Sequence, residues 1–172
     1  EEYIRDGRPG VAKIIGQAKK RLDRLEQERQ RLEVLRTYEH RYEDAYPMIC
    51  GIDEVGRGPL AGPVCAAAVI LPRDCEIHYM NDSKKLSAAR REELFDEIMD
   101  KAVAAAVGIV SPARIDEINI LQATYIAMRQ AIAELAVAPD LLLNDAVTIP
   151  EVSVKQVPII KGDAKSISIG AA

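Results

Sequence analysis

Long apolar runs are missing from this 172-residue sequence, although 48% of its residues are hydrophobic. A helix that crosses a bilayer needs about 20 consecutive apolar residues, so no membrane span is expected. The charged N-terminus also lacks the apolar core of a secretory signal. Cysteine is scarce. Cys50, Cys65 and Cys75 are odd in number, and their spacing fits no zinc motif. Two of them lie in apolar stretches, and they read as small buried hydrophobes in a reducing cytoplasm. A surplus of positive charge is lacking too. The formal charge of −4 argues against a generic nucleic-acid binder, but it leaves open chemistry that depends on clustered acids.

The length suits one sizeable domain plus an appendage. Charge is unevenly spread. Residues 1–47 carry 11 Lys+Arg against 10 Asp+Glu, and the remainder carries 12 against 17. The first residue is Glu, and Ile169-Gly170-Ala171-Ala172 reads as helix interior. The chain is therefore expected to be part of a longer one.

Residues 1–47 have their own texture. Val11, Ile15, Ala18, Leu22, Leu25 and Leu32 recur at helical spacings, giving a narrow apolar stripe on a polar helix. A bend near Gly16 is compatible with the pattern. Lys19, Lys20, Arg21 and Arg24 form either a contact for nucleic acid or a solvated face of (i, i+4) charge pairs. Tyr38, Tyr42 and Tyr46 are expected to dock this segment on the main domain, and Tyr46-Pro47 marks the boundary.

Two strands, 48–53 and 63–71, flank a short turn rich in glycine and proline, so a hairpin is expected. Ser87 is a plausible cap for a helix over Ala88–Asp100, with Leu94, Ile98 and Met99 inward. Residues 102–110 read as a third strand. Ser111-Pro112 starts a helix that runs to Ala136 with a break near Asn119. Its expected inner face is Ile118, Leu121, Tyr125, Met128, Ile132 and Leu135. Leu141-Leu142-Leu143 is a fourth strand, 152–160 a fifth, and a final helix follows Asp163. This order predicts an α/β fold, a mixed five-stranded sheet flanked by helices, with a helical extension in front.

Acids fall at corresponding places. Asp53 and Glu54 end the first strand, Asp145 ends the fourth, and Asp163 sits at a strand-to-helix transition. If the first and fourth strands are neighbours, all four carboxylates converge on one sheet edge. Four like charges at close quarters need countercharge, which Mg²⁺ or Mn²⁺ supplies through oxygen ligands. Two such ions roughly 3.5–4 Å apart can drive phosphodiester hydrolysis. No cluster of histidine or cysteine favours zinc. Each acid also has a plainer reading: Asp163 as a helix cap, Asp145 as a turn residue, Asp53-Glu54 as a turn pair. The turn Gly56-Arg57-Gly58 exposes backbone groups able to read a sugar hydroxyl or a phosphate. Asp82-Ser83-Lys84-Lys85 either brings cations to a phosphate backbone or is a surface loop leading into a helix.

The run Gly51-Ile52-Asp53-Glu54-Val55-Gly56-Arg57-Gly58-Pro59-Leu60-Ala61-Gly62-Pro63-Val64 resembles the signature of the type 2 ribonucleases H, specifically bacterial ribonuclease HII. Asp82-Ser83-Lys84-Lys85-Leu86-Ser87, Leu142-Leu143-Asn144-Asp145-Ala146 and Lys161-Gly162-Asp163-Ala164-Lys165-Ser166 reinforce it. The motifs stand in the family's order. The resemblance implies a ribonuclease H-like catalytic domain over 48–172, lacking the family's C-terminal part, and an extension over 1–47 like that of Bacillus-type members, where it aids substrate binding. It implies that Asp53, Glu54, Asp145 and Asp163 are catalytic and hold Mg²⁺ or Mn²⁺, two ions when substrate is bound. It also implies that Gly56, Arg57 and Gly58 recognise the 2′-hydroxyl at an RNA–DNA junction.

The implied reaction is endonucleolytic. It hydrolyses the RNA strand of RNA/DNA hybrids, or nicks 5′ to ribonucleotides embedded in duplex DNA, and leaves a 5′-phosphate and a 3′-hydroxyl. Ser83, Lys84, Lys85 and Lys165 are expected at substrate phosphates. A cytoplasmic monomer is expected, with hybrid or ribonucleotide-containing duplex as partner and no membrane. A competing expectation is a fragment that binds hybrid duplex without cutting it. An exonuclease on the same fold is a third reading, which the Gly-Arg-Gly turn disfavours.

Overall fold

The computed structural model describes residues 8–59, 61–80 and 86–172. Two helices, α1 (Pro9–Leu35) and α2 (Thr37–Tyr42), precede the sheet. Pro9 stands in the first turn of α1, where its missing N–H is no loss. No bend occurs at Gly16. One helical glycine costs only about 1 kcal/mol, and the lysines, arginines and glutamates around it favour helix. The break falls instead at Arg36, with φ −92° and ψ 6°.

The apolar stripe of α1 is only partly used. Leu22 and Leu25 are 65% and 41% exposed. Burial begins at Glu28 and continues through Leu32 and Leu35, because the apolar surface that receives the helix, around Val69, Leu71, Ile77 and Met80, lies under its last turns alone. The three tyrosines pack as expected, against Ile49, Leu141, Leu143, Ile159 and Ile169.

The sheet comprises β1 (Ile49–Val55), β2 (Val64–Ile70), β3 (Ala104–Val110), β4 (Leu141–Asp145) and β5 (Lys155–Ile159). Its order is β3-β2-β1-β4-β5. β1, β2 and β3 form an antiparallel meander, while β4 runs parallel to both β1 and β5. β5 starts at Lys155 rather than Val152. Val152 and Val154 instead reach the core from the preceding loop.

Helices cover both faces. α3 (Ala88–Lys101), α4 (Pro112–Ile118) and α5 (Ile120–Ala133) follow the hairpin and β3, and α6 (Ile167–Ala171) ends the chain. Ser87 and Ser111 cap α3 and α4 by accepting N–H groups from Arg90 and Arg114. In α3, Leu94 is buried as expected, but Met99 is 51% exposed; the narrow strip that α3 buries does not extend to it. The break at Asn119 is real. Its φ is 70°, and its side chain accepts the Gln122 N–H. The break resets the helical phase, so the fully buried stripe of α5 is Ala123, Thr124, Ala127, Met128 and Ala131, and Leu121 is 38% exposed. Ile118, Tyr125, Ile132 and Leu135 flank that stripe. Its alanines let α5 press on the sheet so closely that a Cβ at Gly108 would lie 2.0 Å from the Ala127 carbonyl oxygen.

Asn144 is fully buried at the end of β4. Its amide donates to the Val147 carbonyl and to Gln156 Oε1. Gln156 in turn bridges the N–H and carbonyl of Ile149. This network fastens the loop between β4 and β5. Asn144→Ala is expected to lower stability by about 1–3 kcal/mol, since it leaves buried groups unpaired; a shifted urea midpoint would report it.

Of the three thiols, Cys50 and Cys75 are buried and Cys65 is partly exposed, and all are free. Burial pushes the Cys50 thiol up to about 12. Among the described residues no helix is long and apolar enough to cross a membrane.

Candidate active site

Strand alternation decides where each acid points. Cys50 and Ile52 belong to the core under α5, so Ile49, Gly51 and Asp53 face the other side, toward α6. A Cβ at Gly51 would lie 2.0 Å from the Ser168 carbonyl carbon and oxygen. This contact brings α6 directly onto β1. On β4, Leu141 and Leu143 pack on the α6 side, and Asp145 shares their parity. Gly51 pairs with Leu143 and Ile52 with Asn144. Asp53 and Asp145 therefore sit side by side at the carboxyl ends of two adjacent parallel strands. Glu54 alternates to the opposite face.

Asp163 arrives from the far side of β5. Lys161 adopts a left-handed conformation (φ 57°) and starts a 3-10 turn over Gly162–Ala164. The Gly162 N–H donates to Asp145 Oδ1 at 2.7 Å, tying this turn to β4. Gly162 is itself a close approach, since a Cβ there would meet Ile169 Cδ1 at 2.5 Å. The other three acids all act on Asp53. Asp53 is pushed up to about 7, chiefly by burial; the N–H of Glu54 pulls the other way, and Asp145, Glu54 and Asp163 add repulsion.

Two of the carboxylates are also held by nearby residues on the same strand and turn. Asp53 Oδ1 accepts the Glu54 N–H at 2.8 Å, and Glu54 Oε1 lies 3.4 Å from Arg57 Nη1. Glu54 Oε2 is buried without a hydrogen-bond partner. Among the described residues, no three acid, histidine or cysteine side chains stand close enough to enclose one ion. The donor set nonetheless fits a hard divalent cation: oxygens only, an orphaned buried carboxylate oxygen on Glu54, and a part-buried acid, Asp53, with three acidic neighbours.

The turn after β1 needs its first glycine. Gly56 has φ +93°, and a Cβ there would lie 2.3 Å from the Pro63 carbonyl oxygen. Arg57 and Gly58 are exposed, with open space around Gly58. Lys165 is exposed two residues past Asp163. Ser83, Lys84 and Lys85 lie outside the described residues.

Sequence reasoning missed two buried acids, Glu28 and Glu39. Glu28 Oε1 accepts the Tyr79 N–H at 2.6 Å and is bracketed by Arg31. Burial alone would raise Glu28, but Arg31 and that N–H hold it below the usual range. Glu39 Oε1 accepts from Ser166 and Ser168. A signal was available: Glu28, Leu32 and Leu35 recur at helical spacing on α1, and Glu39 follows at the same spacing on α2.

An antiparallel meander joined to a parallel pair, with helices on both faces, is the ribonuclease H-like fold. A ribonuclease H2 of known structure from Pyrococcus horikoshii matches with a TM-score of 0.59 at 27% identity, covering 72% of this chain and 67% of its own. The family model for ribonuclease HII matches residues 50–172, and that for the ribonuclease HII N-terminal domain matches residues 1–43. A ribonuclease HII of Lachnoclostridium phytofermentans is 63% identical over all of this chain, which spans 67% of that relative. One from Clostridioides difficile is 50% identical over 99% of this chain and 69% of its own length. The chain belongs to the ribonuclease HII family, and it spans about two thirds of the length of these relatives.

Proposed function

We propose that this chain carries the catalytic centre of an endoribonuclease that hydrolyses the RNA strand of RNA/DNA hybrids and nicks 5′ to ribonucleotides embedded in duplex DNA. The observation that carries this reading is geometric: Asp53 and Asp145 end adjacent parallel strands, and the Gly162 N–H bond to Asp145 Oδ1 ties the turn that carries Asp163 to them. Family membership supports the substrate class. Asp53, Glu54, Asp145 and Asp163 would hold the cations. Two Mg²⁺ or Mn²⁺ ions, when bound, supply Lewis acidity toward water and the scissile phosphate.

The remaining roles fall to the chain itself. Gly56 and Gly58 let the turn approach a ribose closely, and its backbone groups and Arg57 read the 2′-hydroxyl. Lys165 meets a phosphate as a point charge. Residues 1–47 form a substrate-binding aid beside the catalytic domain of residues 48–172, and the chain acts as a monomer.

A DNA duplex with a single embedded ribonucleotide, incubated with Mg²⁺ or Mn²⁺, tests the reading. A nick 5′ to the ribose is expected, with an all-DNA duplex untouched. Asp145→Asn is expected to slow the nick about a thousandfold, equivalent to about 4 kcal/mol of transition-state stabilisation. Binding without cutting, or equal rates for Asp145→Asn and wild type, would sink the assignment.

A further inference from the structure

The N-terminal helices reach the catalytic acids through one buried side chain. Glu39, on α2, is 7% exposed. Its Oε1 accepts the Ser166 hydroxyl at 2.5 Å and the Ser168 N–H at 3.0 Å. Ser166 is the hinge of this region. Its hydroxyl oxygen accepts the Ile169 N–H and so caps α6, and its own N–H donates to the Gly162 carbonyl. Gly162 donates to Asp145 Oδ1, and Asp163 is the next residue. On its other side, Ser168 presses its backbone against Gly51 of β1. A continuous run of hydrogen bonds thus leads from Glu39 through Ser166 and Gly162 to Asp145, with Asp163 on the same turn.

A buried carboxylate is an expensive way to glue two surfaces together. Well-packed apolar side chains would do so at no desolvation cost, and here the second oxygen, Oε2, has no partner. What a carboxylate offers is one strong acceptor that fixes two donors two residues apart, the Ser166 hydroxyl and the Ser168 N–H, in register. From this geometry we infer that Glu39 is a positioning residue, by which the N-terminal helices set the turn carrying Asp163 against the ends of β1 and β4. The inference rests on the reading of Asp163 as a cation-holding acid. It assigns the N-terminal helices a role in the catalytic centre itself, separate from any contact with nucleic acid.

The test measures Mn²⁺ affinity of the full chain without substrate, by the electron-spin signal of free Mn²⁺, alongside thermal melting and steady-state kinetics. Glu39→Ala is expected to weaken Mn²⁺ binding about tenfold, the size seen when a partner that orients a metal ligand is removed. kcat should fall while KM for duplex stays within about twofold. Glu39→Gln, which keeps an acceptor oxygen, should recover most of the affinity. Ser166→Ala should mimic Glu39→Ala, and it decides the matter if Glu39→Ala does not fold. A lower melting temperature with unchanged Mn²⁺ affinity would overturn the inference, as would a raised KM alone. Asp163→Asn runs beside them: if it leaves Mn²⁺ affinity intact, the underlying reading of the site fails, whatever the Glu39 variants do.

Discussion

Asp53→Asn is expected to abolish cleavage and, in the metal-free chain at neutral pH, to raise stability. The carboxyl of Asp53 is pushed from 3.8 to about 7, first by burial and then by its acidic neighbours. As pH rises from about 4 to about 7, the unfolded chain releases this proton and the folded chain keeps it. The unfolded state then binds fewer protons, so stability falls across that window. At about 1.4 kcal/mol for each pH unit, ionised Asp53 burdens the metal-free fold by on the order of 4 kcal/mol above the window.

Asparagine cannot ionise and escapes this burden. With chelator present at pH 8, the variant should melt several degrees above wild type, and the gap should close toward pH 4. Mn²⁺ should raise the melting temperature of wild type through preferential binding to the folded state and leave the variant nearly unmoved. Matching melts for the two chains at pH 8 would show that Asp53 carries no such charge burden.

Gly51→Ala is expected to be strongly destabilising. The added Cβ would meet three backbone atoms, the Ser168 carbonyl carbon and oxygen at 2.0 Å and the Ile169 nitrogen at 2.4 Å. Backbone cannot step aside as a side-chain tip does, so α6 must lift from β1. Overpacking in a filled core costs about 1–3 kcal/mol, and this collision belongs at or above the top of that range. Lifting α6 also carries off the turn with Asp163, so residual activity should fall further than stability alone requires. Gly58→Ala is the matched control. Open space surrounds it, and its urea midpoint should stay within about 0.5 kcal/mol of wild type. An unchanged midpoint for Gly51→Ala would refute the close approach.

Much of this was legible before any coordinates. Short apolar runs marked β1, β2 and β4, because a buried strand needs little more than a continuous apolar stretch between turns; β3 rested on its valines and isoleucine, and β5 was read from an alternating stretch and set three residues early. Asn119 announced a break, since a short polar side chain tolerates φ 70° and then caps the next helix. Side-chain placement was less legible. Met99 and Leu121 are apolar and at suitable spacing, yet they face solvent. α3 buries only a narrow strip, and the phase of α5 depends on where α4 stops. The stripe of α1 is only partly used for a related reason: Leu22 and Leu25 have helical periodicity, but the receiving surface ends before it reaches them.

Local composition by itself determined the strands, the hairpin turn with its obligatory Gly56, the family motifs and the four acids, because these depend on residues close together in the chain. Tertiary structure alone decided that β1 and β4 are parallel neighbours, which sets Asp53 beside Asp145, and that Gly162 bonds to Asp145 and so brings Asp163 to both. It alone made Gly51 a contact point for α6, and gave Glu39, an ordinary helical glutamate in the sequence, a buried partner in Ser166. The residues in these contacts lie far apart in the chain, and a contact between distant residues is a property of the packing, which no local stretch encodes.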